Sequence, residues 1–330
     1  MSAATLITSA AEPQQSEHGK RLMLVVSKGL PGITVYDADS QKPLCNATMG
    51  VSPHEAAFSA DGHYAYVPVY GNSGVGKPGT DEHIIHFVRT SDCQEVGSLD
   101  TGEYKRPHCV LVGKSGRLYV TAEIAASVIV IDPNTRKIIA TIPTGSHTTH
   151  MIALTRDEKT IYSSNVQSKT ISVLDVAKCK LVQTIPTEGE NQRMTLSPDG
   201  RWFVTSLGPA KKVAFYRTSD NQLDFTVPVD GTPFVAKFSA DGKYLYDAGH
   251  VEKRVVAWKI DVAQRKVVAT SSDDLGRDTG ALEVNPFTGG VYVSDQPTNK
   301  ISELDPSTWK VVKTLDTEKT PDCMQFVTVR

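Results

Sequence analysis

The chain has 330 residues and sets 35 Lys and Arg against 37 Asp and Glu, for a net charge of −2. That balance gives no electrostatic case for nucleic acid or an acidic membrane surface, and no Lys/Arg stripe with interleaved aromatics is present. No apolar stretch is long enough to span a membrane.

Residues 1–20 hold a short apolar part without a basic start, so they read as a flexible tail or as what remains of a trimmed export signal. The compartment therefore stays open between cytoplasm and periplasm or exterior. From Arg21 onward the chain is written in short β-branched and aromatic runs separated by Gly, Asp, Asn and Pro. Three come first: RLMLVVS from Arg21, GITVYDA from Gly32 and PLCNATM from Pro43. A tight turn behind an apolar anchor then recurs: Phe58-SADG, Val112-GKSG, Leu154-TRDE, Leu196-SPDG, Phe238-SADG and Val284-NPFTGG. Phe326, in PDCMQFVTV from Pro321, is a seventh anchor. Three runs follow each turn, as in RLYVTA, SVIVID and KIIATIP from Arg117, Ser127 and Lys137. With the run ahead of the turn, each unit supplies four antiparallel strands, and this period predicts a β-propeller. Seven anchors give seven blades. The three N-terminal strands lack an inner partner and the C-terminal run is an inner strand lacking three. Joined, they close the ring and remove its free edges. Residues 21–330 thus read as one all-β domain.

The repeat resembles the YVTN-type seven-bladed propellers, the group that includes YncE-like proteins, and is similar to the lactonase-type propellers. The residues that carry this are Pro53-HEAAFSADGHYAYV, Asn191-QRMTLSPDGRWFV, Leu118-YVTA and Val291-YVSD. The resemblance is specific for the fold and weak for activity. It also implies that Pro-His ahead of an inner strand is a habit of the group, which covers Pro53-His54 and Pro107-His108. Thr149 stands where that proline would be, yet His150 remains, which makes His150 the most telling of the three.

Counting back four residues from each anchor gives His54, His108, His150, Gln192, Phe234, Gly280 and Asp322. Four of the six steps are 42 residues and the others are 54 and 46. These positions start the inner strands, so the three histidines should ring one mouth of the central channel. The loops between second and third strands bring Tyr70, Glu123, Asn165 and His250 to the same mouth. Tyr104, Arg106, Arg193, Arg277 and Asp278 are expected there too. An insertion in blade 1, residues 71–82, is Gly-rich and nearly free of apolar residues, as a mobile lid would be.

Three neutral imidazoles suit Zn, Cu, Mn or Fe and leave an open position for water or substrate; Gln192, next around the ring, offers a weak oxygen donor. The functional reading is a metal-dependent lyase or hydrolase, lactonase-like, acting on a small oxygenated anion. His54, His108, His150 and Gln192 hold the metal, while Glu123, Tyr70 and Arg193 serve the chemistry. Arg106, His250, Arg277 and Asp322 bind the substrate. The alternatives are a non-catalytic propeller for a ligand, a tetrapyrrole or a partner protein, and a scaffold whose histidines only stabilise loops. The resemblance to the cytochrome cd1-type d1 propeller motivates the tetrapyrrole, although no C-x-x-C-H run is present for covalent haem. The chain reads as a monomer.

Other signals read as structural. His83 and His86 point to opposite faces of a strand, and His147 is an exposed loop histidine. Asp132-PNT and Asp305-PST are turns with Asp caps. Glu55 should face away from the channel on a regular strand. The five cysteines suggest no pairing and read as free thiols.

Overall fold

The computed structural model describes residues 19–330. Most of the segment read as a tail, through residue 18, lies outside the described residues. The described chain forms seven four-stranded antiparallel sheets arranged as a propeller.

β1 (Arg21–Ser27), β2 (Gly32–Asp37) and β3 (Pro43–Thr48) form the outer part of the closing blade. Blade 1 is β4 (Ala57–Phe58), β5 (Tyr64–Pro68), β6 (Ile84–Arg89) and β7 (Glu95–Asp100). Blade 2 is β8 (Pro107–Val112), β9 (Leu118–Ala122), β10 (Ser127–Asp132) and β11 (Lys137–Pro143). Blade 3 follows with β12 (Thr149–Leu154), β13 (Thr160–Asn165), β14 (Thr170–Asp175) and β15 (Lys180–Pro186). Blade 4 comprises β16 (Met194–Leu196), β17 (Trp202–Leu207), β18 (Lys212–Arg217) and β19 (Leu223–Pro228). Blade 5 comprises β20 (Thr232–Phe238), β21 (Tyr244–Val251), β22 (Arg254–Asp261) and β23 (Lys266–Thr270). Blade 6 has β24 (Leu282–Val284), β25 (Val291–Asp295), β26 (Lys300–Leu304) and β27 (Val311–Asp316). β28 (Pro321–Thr328) then pairs with β1, as in Leu22↔Val327 and Val26↔Cys323, and closes the ring.

The packing explains why β1 is apolar without interruption. Side chains alternate across a strand, and both faces of a blade are covered by neighbours. Leu22, Leu24 and Val26 pack with Phe58, Val67 and Val88 of blade 1. Met23 and Val25 go the other way, onto Tyr292 and Ile301 of blade 6. Each such side chain stabilises by roughly 1.5–3 kcal/mol. The outer strand β3 is instead exposed along most of its length.

The turn between third and fourth strands is built alike in every blade. A non-glycine residue there is left-handed: Gln41, Cys93, Arg136, Cys179, Asn221, Arg265 and Trp309, with φ between 49° and 60°. Asp132 and Asp305 each accept the amide two residues on, at 2.9 Å, so these aspartates are turn caps as read.

This turn also corrects the reading of the cysteines. Cys93 is the left-handed residue of the β6–β7 turn, and it meets Cys45 of β3 in a disulfide that ties blade 1 to the closing blade. Cys109, Cys179 and Cys323 are the free thiols. Spacing could not show this, because the partners lie on neighbouring blades and only the closed ring brings them together.

One buried acid stands out. Hydroxyls of Thr121, Ser164 and Ser294 accept inner-strand amides of Cys109, Met151 and Ala281. In blade 5 a carboxyl does this work: Asp247 accepts the amide of Phe234 at 3.2 Å and the hydroxyl of Ser206 at 2.5 Å. Burial pushes its pKa up from 3.8 to about 8, against both hydrogen bonds. The folded chain then holds a proton that the unfolded chain releases, so this group's contribution to stability falls as pH rises from about 4 to 8. Asp247→Asn should remove that fall while keeping the hydrogen bonds. Urea midpoints of both proteins at pH 5 and pH 8 check it, and equal pH slopes would refute it.

Candidate functional site

The inner strands do not start regularly. The pairing register jumps between Pro107 and Val110, between Thr149 and Ile152, and between Pro233 and Val235. Residues 53–56 precede the short β4, with only Pro53 bridged to Val69. A bulge lets two consecutive residues leave the usual alternation. His54, His108 and His150 gather on one side, and the residue after each, Glu55, Cys109 or Met151, lines the axis together with Arg193, which follows Gln192. This corrects the expectation for Glu55: it faces the channel and forms a buried ion pair with Arg193.

The structure brings the three histidines of blades 1, 2 and 3 together. Ring centroids lie 5.2 Å apart for His54 and His108 and 3.9 Å apart for His108 and His150. Tyr70 packs on His54 at 4.8 Å and on His108 at 5.2 Å. His108 and His150 are buried, and the Nδ1 atoms of both lack a hydrogen-bond partner. His54 Nδ1 is 3.7 Å from Asp322, and His150 Nδ1 is 3.9 Å from Glu123.

Burial pushes the His54 imidazole down to about 4; Asp322 opposes this, and Lys28 and Arg193 add to it. His108 is held well below the ordinary histidine range by burial and then by His150, His54 and Arg193. His150 is held there by burial and then by Arg193. All three are neutral at pH 7. Among the described residues no group of three or more His, Cys, Asp or Glu side chains already stands ready to hold a metal ion. The geometry gives one reason: the His108 and His150 rings lie nearly face to face, 33° from parallel.

Beside the histidines, Glu123 organises one side of the mouth. Its Oε2 accepts the Tyr70 hydroxyl at 2.6 Å, and its Oε1 accepts Arg106 at 2.9 Å and the amide of Gly76 at 3.0 Å. Burial, then Glu123, raises the Tyr70 hydroxyl far above its ordinary range. The insertion 71–82 therefore folds onto the mouth through named contacts. Arg106 also binds Asp81 at 2.5 Å and the carbonyl of Lys77 at 2.8 Å. Gln167 of blade 3 donates to the carbonyl of Gly76 at 2.9 Å. Gly76 has a left-handed φ of 64°, and a Cβ there would collide with the Gln167 amide.

On the axis, Arg193 reaches from blade 4 to Glu55 of blade 1 and to the carbonyl of Gly280 in blade 6, at 2.9 Å. Its guanidinium lies 5.7 Å from the Phe234 ring centroid. A cavity of about 70 Å³ touches it and also meets Cys109, Met151 and Cys323. Asp322 pairs with Lys28 at 3.0 Å and accepts Gln296 at 2.6 Å. Lys28, from the β1–β2 loop, is a site neighbour that the repeat count missed, since it lies on no inner strand.

The remaining expected residues are placed differently. Gln192 is half-buried, and its carbonyl takes the Ser164 hydroxyl at 3.2 Å. Asn165 is fully buried and bonded to Thr149, Thr170 and Ser172. His250 pairs with Asp278 at 3.2 Å, and exposed Arg277 pairs with Asp274 at 3.1 Å. Both stand on blades 5 and 6, across the ring from blades 1–3. His83 and His86 bind different acids, Asp100 and Glu95, and His147 is exposed, as read. No helix among the described residues is long and apolar enough to cross a membrane.

No curated protein matches the chain by sequence. Among solved structures, the periplasmic gluconolactonase PpgL of Pseudomonas aeruginosa is similar with a TM-score of 0.72 and 18% identity, over 94% of this chain and 100% of that one. The dihydro-heme d1 dehydrogenase NirN, in complex with DHE, is similar with a TM-score of 0.69 and 14% identity, over 97% of this chain and 78% of that one. The hydrazine synthase of Kuenenia stuttgartiensis is similar with a TM-score of 0.54 and 17% identity, over 68% of this chain and 63% of that one, so the chain spans less than two thirds of it. At these identities the likeness is one of fold. Residues 107–232 match the YNCE-like beta-propeller family. The family likeness by sequence thus covers residues 107–232, and the described chain as a whole has the fold of a seven-bladed β-propeller.

Proposed function

We propose that the histidine mouth is the reacting centre of a metal-dependent lyase or hydrolase, lactonase-like in kind, that takes a small oxygenated anion. One observation carries the reading: three neutral imidazoles converge, and two of them bury a ring nitrogen without a partner. Neutral imidazole is the usual nitrogen donor for Zn, Cu, Mn or Fe. A ligating histidine commonly turns its other ring nitrogen to a carboxylate, and Asp322 and Glu123 stand beside His54 and His150 for that role. The carboxyls of Glu123 and Asp322 lie close enough to His150 and His54 to add negative potential beside the imidazoles, which favours a bound cation. Gln192 offers a fourth donor. To share one cation, the tilted rings of His108 and His150 would have to turn so that their nitrogens meet.

A metal held there would polarise a carbonyl or carboxylate, or activate water. The chain's own groups do the rest. The Tyr70 hydroxyl donates to Glu123 across 2.6 Å, so a proton taken up at the Tyr70 oxygen would be relayed to the Glu123 carboxylate. Arg106 and the Gly76 amide fix Glu123, and the insertion keeps water out. Arg193 and Lys28 would add positive potential for an anion, with His250 and Arg277 meeting it from blades 5 and 6.

Protein dialysed in turn against Zn, Cu, Mn and Fe should retain one of them near one per chain. At a free metal concentration about 100 times Kd, the added stability is about 2.7 kcal/mol. His108→Ala should lose the metal and that gain while keeping its circular dichroism. A chain that stays metal-free with all four overturns the reading. A Soret-type band in protein from its native source would turn the site over to a tetrapyrrole instead.

A further inference from the structure

The insertion that covers the mouth leaves a recess on its outer flank. A cavity of about 340 Å³ lies there, bordered by Lys77 and Pro78 of the insertion, Ile124 of blade 2 and His147 of blade 3. Its floor is the buried pair of Arg106 and Glu123. The floor is fully partnered, but the walls are not. Lys77 and His147 are exposed, and neither side chain has a hydrogen-bond or ion-pair partner among the described residues. Ile124 leaves 48% of its surface exposed beside these two basic groups.

The spacing of the walls is fixed. The Thr148 hydroxyl donates to Gln167 Oε1 at 3.0 Å, and Gln167 Nε2 donates to the Gly76 carbonyl at 2.9 Å. One amide side chain thus braces blade 3 against the insertion, and the recess is preformed. Preformed concave sites with a few converging polar groups are where small ligands bind.

From this juxtaposition we infer that the recess binds a carboxylate or phosphate group carried on a short apolar stem. Lys77 and His147 donate to the anion, and Ile124 packs against the stem. Glu123, in the floor, is shared with the mouth: its Oε1 belongs to the recess side, with Arg106 and Gly76, and its Oε2 faces Tyr70 and His150. The anion bound here is the far end of the substrate, which makes that substrate a two-headed, amphiphilic anion. This last step rests on the function proposed for the mouth.

The test uses the whole chain with inorganic phosphate, acetate and butyrate as probes, titrated by calorimetry. Wild type should bind all three saturably, with butyrate favoured over acetate by about fourfold per added methylene. Lys77→Ala/His147→Ala should weaken phosphate and butyrate at least tenfold, and Ile124→Ser should abolish the preference for butyrate. Absence of saturable binding by wild type, or equal binding by the double variant, overturns the inference. Metal retention measured on the same samples reports on the mouth alone. Anion binding without any metal retention leaves the recess standing and sinks only the reaction proposed for the mouth.

Discussion

Arg193→Met should cost the fold about 3–5 kcal/mol, the range for breaking a buried ion pair from one side. Glu55 is 5% exposed and Arg193 is its charged partner, so the variant strands a carboxylate inside the channel. The bond to the Gly280 carbonyl and the contact with Phe234 go with it. Removing both charges together is a different experiment. Glu55→Leu/Arg193→Met should recover most of the loss, because apolar replacement of a buried pair is often neutral or better. Guanidinium unfolding of the two single variants and the double variant gives the coupling. A loss under about 1 kcal/mol for Arg193→Met would show that water or a second cation reaches Glu55, against the geometry described.

Removing the Cys45–Cys93 bridge should be comparably severe. Its partners are 48 residues apart, and the chain-entropy model assigns a loop of that length about 4 kcal/mol. The location concentrates the effect. The bridge holds β3 of the closing blade, the one blade assembled from both ends of the described chain, to the β6–β7 turn of blade 1. Cys45→Ala/Cys93→Ala should therefore lower the urea midpoint and speed amide exchange first in β1–β3 and β28, with blades 3 to 5 little changed. Uniform exchange across all blades would contradict this.

The sequence made the architecture legible because a propeller writes its period into the chain. The anchors at Phe58, Val112, Leu154, Leu196, Phe238, Val284 and Phe326 each found their blade, and the closing pair of β1 and β28 followed. The gathering of His54, His108 and His150 was legible for the same reason, since equivalent positions in adjacent repeats must be neighbours. What failed was local. Strict alternation turns Glu55 away from the channel, the inner strands bulge and turn it inward, and nothing in Pro53-His54-Glu55 announces a bulge. Lys28 escaped because it sits on a loop outside the repeat register. The disulfide escaped because proximity between outer strands of adjacent blades depends on ring curvature, which no spacing rule encodes. Gln192 and Arg193 differ by one position, and the side chain that reaches the axis belongs to the second.

Arg193, bonded from blade 4 to Glu55 and to the Gly280 carbonyl, spans the channel below the histidines. On the opposite side the histidines are overlain by the insertion, held by Glu123, Arg106 and the Gln167 brace. For any turnover at this mouth, the slow event to look for is the release of the insertion from Glu123 and Arg106, and a solvent-viscosity dependence of kcat would reveal it.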